Sequence, residues 1–363
     1  KNAFYNFTTA SGSVAIGVAA GDAISTGNAN VAIGENALSA KTTLDGTVAI
    51  GYDAGKVYVQ NGGVIIGHQA GTVIVNAEPV FIGRKAGYQM GGTGYGDFST
   101  IVGTRAGETL GQSAGYVTLL GHSAGGDLTV ASGSTLIGAG AGGTGTTGNR
   151  NVAVGYYPMF GGVTTGDENI AIGSNTLNAV TSGHHNIAIG KDAGGGLTTG
   201  HSNVLIGSVT QYTPGTLIGT GNVMLGTGTG TKMTGADNNV AVGNQAGEGL
   251  TSGDNNIFMG YQTGIGVSTQ AQNIGIGWRA IDAGNCANQL AIGYTALTSA
   301  TTTTQNIGIG NQALAQLVVG TKNVAVGENA GYYATGSNNT FVGADAGKGG
   351  TTSAPYSSGE KNT

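Results

Sequence analysis

One short motif recurs along almost the whole chain and restricts its fold more than any other feature. Aligned on the glycine that closes an apolar triplet, the motif falls at Gly17, Gly34, Gly51, Gly67, Gly83, Gly103, Gly121, Gly138, Gly155, Gly173, Gly190, Gly207, Gly226, Gly243, Gly260, Gly277, Gly293, Gly310, Gly327 and Gly343. Most steps are 16 to 18 residues. A period of this size marks a solenoid, in which each unit is too small to fold alone and is stabilised by its neighbours. The wider steps, Gly83 to Gly103 and Gly207 to Gly226, fit longer turns on an unbroken stack. Residues 13–347 are therefore expected to form one continuous domain, with 1–12 as a lead-in segment and 348–363 as the start of a further coil or a linker.

The triplet before each glycine is rich in Val and Ile and too short for a helix, so it predicts a strand bounded by Asn and Gly. After the glycine come two variable residues and a small one, as in Glu35-Asn36-Ala37, where a second short strand is expected. Each unit closes with a polar turn such as Thr198-Thr199-Gly200-His201-Ser202-Asn203. Asn recurs four residues before the marker glycine, for example at Asn30, Asn169, Asn186, Asn203, Asn239 and Asn323, and stacked copies would form an amide ladder between coils. The fold expected is all-β: a parallel β-solenoid of about twenty 16–18-residue coils.

Side chains alternate along a strand, so Val31 and Ile33 face one way and Ala32 the other. The position before the glycine is aliphatic throughout, and is assigned to the coil interior. The middle position is never polar, and a strand apolar on both faces is covered on both. The second cover is expected to be another chain, with Ala32, Ala49, Phe81, Leu119, Ala171, Ala188, Leu205, Phe258, Ala325 and Phe341 at an oligomer interface running lengthwise.

Composition narrows the function. The chain has 73 Gly, 9% charged residues and a net charge of −5, with Lys and Arg scattered singly, so no basic stripe could track phosphates and nucleic acid is not an expected partner. No apolar run approaches the ~20 residues of a membrane span. The lone Cys286 has no cysteine partner within the chain and is read as a small loop residue. With four Pro and no Gly-X-Y period, the glycine content does not signify collagen.

The units Asn186-Ile187-Ala188-Ile189-Gly190 and Asn323-Val324-Ala325-Val326-Gly327 resemble the head repeats of trimeric autotransporter adhesins of the YadA type, repeats also found in phage tail fibres. The resemblance spans about Ser13 to Gly347. It implies a left-handed β-roll assembled as a homotrimer at a virion or bacterial cell surface, outside the cell, with a cell-surface receptor or polysaccharide as the other partner. The adhesin unit is shorter, near fourteen residues, so the longer Thr-Thr-Gly turns favour the tail-fibre version, a shaft or receptor-facing segment attaching to a host; a bacterial adhesin or filament is the alternative. The final Gly359-Glu360-Lys361-Asn362-Thr363 matches the start of another coil, so the native polypeptide is expected to continue.

Signs of catalysis are sparse. Gly140-Ala141-Gly142-Gly143-Thr144-Gly145 has the dinucleotide spacing but no helix is expected to follow it, and Gly343 to Gly349 is one residue short of a phosphate loop. The acidic residues are dispersed, with no pair standing out as a polysaccharide depolymerase would require. Strand Thr (Thr100, Thr118, Thr135, Thr340) are too occasional for an ice-binding array. No enzyme activity and no cofactor are expected. One cluster exceeds the background: Asp167, His184 and His201 lie six residues before their marker glycines, with Glu168 and His185 in the adjacent column. Stacked, these groups form either a solvated turn ridge or a site for a divalent cation. Aromatics after the glycine (Tyr52, Tyr156, Tyr261, Trp278, Tyr294) serve as surface packing or as surfaces for sugars.

Overall fold

The computed structural model describes residues 3–349 apart from 7, 10, 59, 75–77, 91–97, 112–114, 144–146, 213–217, 283 and 285. The tail from 350 onward therefore lies outside the described residues, as do Thr144 and Gly145 of the dinucleotide-like motif. The chain forms two compact units, Lys1–His185 and Asn186–Thr363, and their boundary falls inside the repeat between Gly173 and Gly190 without any change of motif. Each is a parallel β-solenoid, and no helix occurs among the described residues.

Every triplet is a three-residue strand. In the first unit these run from Val14–Ile16, Val31–Ile33 and Val48–Ile50 through to Val152–Val154 and Ile170–Ile172; in the second, from Ile187–Ile189 and Val204–Ile206 to Val324–Val326 and Thr340–Val342. Pairing between consecutive coils is parallel and in register, as in Val31↔Val48, Ala32↔Ala49 and Ile33↔Ile50, or Val240↔Ile257, Ala241↔Phe258 and Val242↔Met259.

The marker glycine is required by this register. Gly243 has φ +130°, and a Cβ built on it would lie 2.5 Å from the carbonyl oxygen of Gly260 in the next coil. No rearrangement of a side chain relieves that clash, because the obstacle is backbone. Removing the side chain is what lets two coils approach at the end of the strand. The buried Asn column supports the same stacking from the other end. Asn222, for example, donates from Nδ2 to Asn203 Oδ1 at 3.1 Å and to the Ala236 carbonyl at 2.8 Å, while its own Oδ1 accepts from the Asn239 backbone N–H at 2.9 Å and side-chain amide at 3.1 Å. Each of these amides is fully buried, and each is satisfied by the coils on either side.

The structure reverses the assignment of the strand's two faces. The middle column, Ala32, Ala49, Phe81, Leu119, Ala171, Ala188, Leu205, Phe258, Ala325 and Phe341, is buried within a single chain, at 0% exposure for all but Phe341 at 7%. These residues line the coil's own interior and are not available to a second chain. The position before the glycine faces out: Ile82, Leu120, Ile172, Ile206 and Met259 are 38–46% exposed. The alternation of the pleat is as expected; what differs is which face is enclosed.

The interior is narrow, and its filling is shared between two positions. Where the middle residue is large, the fourth residue after the marker is glycine in all coils but that of Leu205, which has Gln211; examples are Ile65 with Gly71, Phe81 with Gly87, Met224 with Gly230 and Phe258 with Gly264. A Cβ on Gly264 would lie 2.5 Å from the Phe258 ring, and one on Gly87 would lie 2.7 Å from Phe81. In several coils whose middle residue is Ala or Gly, that fourth position carries bulk, as for Ala32 with Leu38, Ala171 with Leu177, Gly275 with Ile281 and Gly308 with Leu314. Each of those four bulky partners is buried. Coils such as those of Ala188 and Ala241 instead fill the space from the seventh position, with Leu197 and Leu250.

The expected second strand is mostly a turn. The second residue after the marker takes left-handed φ in nearly every coil, for example 57° at Asn36, 56° at Asp192 and 54° at Gln245, which is incompatible with a strand. Among the described residues, only Val57–Tyr58, Val73–Ile74 and Gln89–Met90 form a small three-stranded parallel sheet after the turn.

Three substitutions test this account. Gly243→Ala is expected to abolish cooperative folding, as read by circular dichroism, because the clash is with backbone. Asn222→Ala removes the partner of the Ala236 carbonyl and of the buried Asn239 N–H and is expected to cost on the order of 2–6 kcal/mol in a denaturant titration. Ala188→Asp places a carboxylate in the dry interior and is expected to unfold the chain itself; a folded, merely dissociated product would return that column to a surface.

Candidate functional site

The turn before each strand holds its left-handed residues in register. Arg150, Glu168 and His185, at φ 54°, 60° and 56°, occupy the same position in three successive coils of the first unit. Backbone bonds fix the stack: Glu168 N–H donates to the Asn149 carbonyl at 3.0 Å, and His185 N–H to the Asp167 carbonyl at 3.1 Å. The three side chains consequently meet on the outside of the turn. Glu168 Oε1 accepts from Arg150 Nε and Nη2, each at 2.8 Å, and its Oε2 lies 2.7 Å from His185 Nε2. The Arg150 guanidinium beside it holds the Glu168 carboxyl below its ordinary range, with the His185 hydrogen bond acting in the same direction.

The adjacent column carries Asn149, Asp167 and His184. Asp167 Oδ1 accepts from the Asn149 backbone N–H at 2.6 Å, and His184 Nδ1 lies 3.4 Å from the Ser182 carbonyl. The His184 and His185 rings meet edge to face, with centroids 5.0 Å apart. Between the columns lies an open cleft of about 260 Å³, lined by Arg150, Thr165, Gly166, Asp167, Glu168, Ser182, His184 and His185. Its floor is buried at Gly166, while Arg150, Glu168 and His185 are exposed at the rim.

Four of the five residues singled out from the sequence are thus brought together in one unit. His201 belongs to the second unit, where its Nδ1 lies 3.3 Å from Ser202 Oγ. Among the described residues no group of three or more His, Cys, Asp or Glu side chains converges as metal ligands would. Both Glu168 oxygens are taken by Arg150 and His185, so the ridge is an ion-paired polar surface in place of a cation cage. Arg150 is the member that sequence reasoning missed. Its signal was its place, five residues before Gly155, as Glu168 is before Gly173 and His185 before Gly190.

Of the post-glycine aromatics, Tyr261, Trp278 and Tyr294 form a ladder with centroids 6.1 and 4.8 Å apart and planes within 15° and 9°. Their faces are turned toward one another along the stack, which reads as packing between coils. Tyr52 stacks similarly on His68 at 5.1 Å. Burial pushes the Cys286 thiol up to about 11, which keeps it protonated and unreactive at neutral pH.

No protein-family model matches the chain, and no curated protein matches it.

Because the folded Glu168 carboxyl titrates below its ordinary value of 4.5, its contribution to stability is present above that value and is lost as pH falls through the depressed one. Melting temperatures of wild type and Glu168→Gln are expected to converge as pH is lowered through this window. The difference above it should be small and shrink with salt, since the pair is solvent-exposed. A difference independent of pH would remove the ion pair from the account.

Proposed function

We propose that this chain is a structural and adhesive extracellular fibre segment, in which identical chains pack side by side along the outer faces of their strands. The observation that carries the reading is the outward aliphatic surface. Each coil closes its interior without the first and third strand residues, yet these remain Val, Ile, Leu or Met in most coils. In the second unit Ile206, Met259, Ile276 and Val326 are 36–41% exposed, one above another on the same strand face. Apolar surface of that extent, repeated coil by coil, favours a cover with the same repeat, and a second copy of the chain supplies it.

The resemblance to the YadA-type head repeats adds a three-chain assembly, and the long polar turns favour the shaft or receptor-facing part of a phage tail fibre over a bacterial surface adhesin. Attachment to a cell-surface receptor or polysaccharide falls to the turns, since the strand faces are consumed by the core and by the neighbouring chains. No enzymatic step is assigned: in the polar cleft Arg150, Glu168 and His185 are engaged with one another. No helix among the described residues is long and apolar enough to cross a membrane.

Sedimentation equilibrium at micromolar concentration tests the assembly. Wild type is expected to sediment as a trimer, and Ile206→Asp combined with Met259→Asp as a folded single chain. A wild-type protein that sediments at its chain mass of 35.5 kDa would overturn the reading. Antibody labelling of the source is expected to decorate virion fibres; decoration of bacterial surfaces alone would favour the adhesin.

A further inference from the structure

In most turns around the cleft's column, a side chain caps the backbone of the coil before it. Asn28 Oδ1 accepts from Ser11 N–H at 2.9 Å, Asp45 Oδ1 from Asn28 N–H at 2.7 Å, and Asn61 Oδ1 from Asp45 N–H at 3.0 Å. The same contact joins Asn149 to Ser132, Asp167 to Asn149, Asp237 to Thr220 and Asp254 to Asp237. Where the next acceptor belongs, the chain has His184, as it has Ala271 beyond Asp254; the His184 ring is turned to the Ser182 carbonyl and to His185. Among the described residues the Asp167 N–H then donates to no protein acceptor. Asp167 is among the residues that line the open cleft.

We propose that this cleft binds a single neutral pyranose, whose hydroxyl replaces the missing side-chain oxygen on the Asp167 N–H. The binding is a property of one chain and goes beyond the fibre reading. The chemistry selects the ligand class. The site offers the Asp167 N–H as a donor beside the Asp167 carboxylate, whose Oδ1 already accepts from Asn149, and adjacent hydroxyls of one sugar ring can meet both. Arg150 and Glu168 neutralise one another, and the Asp167 carboxylate beside them disfavours phosphate, sulfate and acidic sugars. An ammonium ligand offers no acceptor. The edge-to-face pair His184 and His185 presents ring surface for the C–H face of a sugar. At about 260 Å³ the cleft is smaller than the ~300–1,000 Å³ that drug-sized ligands occupy, and suits one ring rather than an oligosaccharide.

Saturation-transfer NMR on the whole chain, with a panel of methyl glycosides of glucose, galactose, mannose and N-acetylglucosamine, tests the proposal. Transfer from at least one is expected, undiminished by excess inorganic phosphate. His184→Asn is the decisive variant, because Asn fills this column elsewhere and would restore the cap. It is expected to fold with unchanged or raised melting temperature and to bind at least about tenfold more weakly, the equivalent of one lost hydrogen bond of about 1.4 kcal/mol. Asp167→Asn retains the cap on Asn149 and should weaken binding through loss of the carboxylate. No transfer from any glycoside, transfer equal in wild type and His184→Asn, or displacement by phosphate would each overturn the proposal. Because none of these readouts depends on oligomeric state, their failure is separable from failure of the fibre assembly.

Discussion

Close, in-register approach of one backbone to the next is the constraint on which the rest of each solenoid unit depends. It is achieved at the marker glycines, where φ near +130° and the absence of Cβ let the carbonyl of the following coil occupy the space a side chain would need. With that approach fixed, parallel pairing of the triplets follows, and so does the alignment of every other position into a column. The buried Asn column exploits the same alignment. An amide has two donors and two acceptor sites, enough to bond to the coils on both sides while remaining wholly buried. Gln289 supplies the same group in its coil, donating to the Thr303 carbonyl at 2.7 Å and accepting from the Asn306 N–H at 3.2 Å.

The interior is a thin layer, which explains the composition. A coil of sixteen to eighteen residues encloses room for one or two large side chains beside several alanines, and the middle, fourth and seventh positions divide that room between them. Phe258 lies against Gly264, and Leu314 fills the space left by Gly308. The high glycine content therefore has two distinct origins: backbone approach at the marker, and volume compensation at the fourth position. A globular domain of the same length would spend far fewer residues on either. The aliphatic residues left outside are the ones that this economy does not need.

Chemistry on such a scaffold is confined to the turns, because strands and interior are committed to stacking. Along a column each turn presents the same backbone geometry, so a change of residue type produces a local site without any change of fold. His184, standing where other coils have Asn or Asp, is such a change: the coil path is kept, and a polar cleft lies beside it. Arg150, Glu168 and His185 bond across three coils for the same reason, since their left-handed backbone positions coincide.

By itself, the sequence determined the solenoid, its strands, its Asn ladder and the column that brings Asp167, Glu168, His184 and His185 together. These follow from a period and from alternation, which are properties of the chain's order. Which strand face is enclosed was not determined, because Ala32 and Ile33 are both apolar and alternation says only that they point apart. The compensating pairs, Phe81 with Gly87 against Ala32 with Leu38, do carry that information, but only if the fourth position is already known to touch the middle one. The turn that replaces the second strand was likewise decided by closure of the coil, which forces Asn36 and its equivalents into left-handed backbone that their identity alone does not demand. The ion pair of Arg150 with Glu168 and the cleft beside it needed three dimensions too. Residues eighteen apart in sequence are neighbours only when the coil closes at that length, and a missing cap is visible only once the caps around it have been seen.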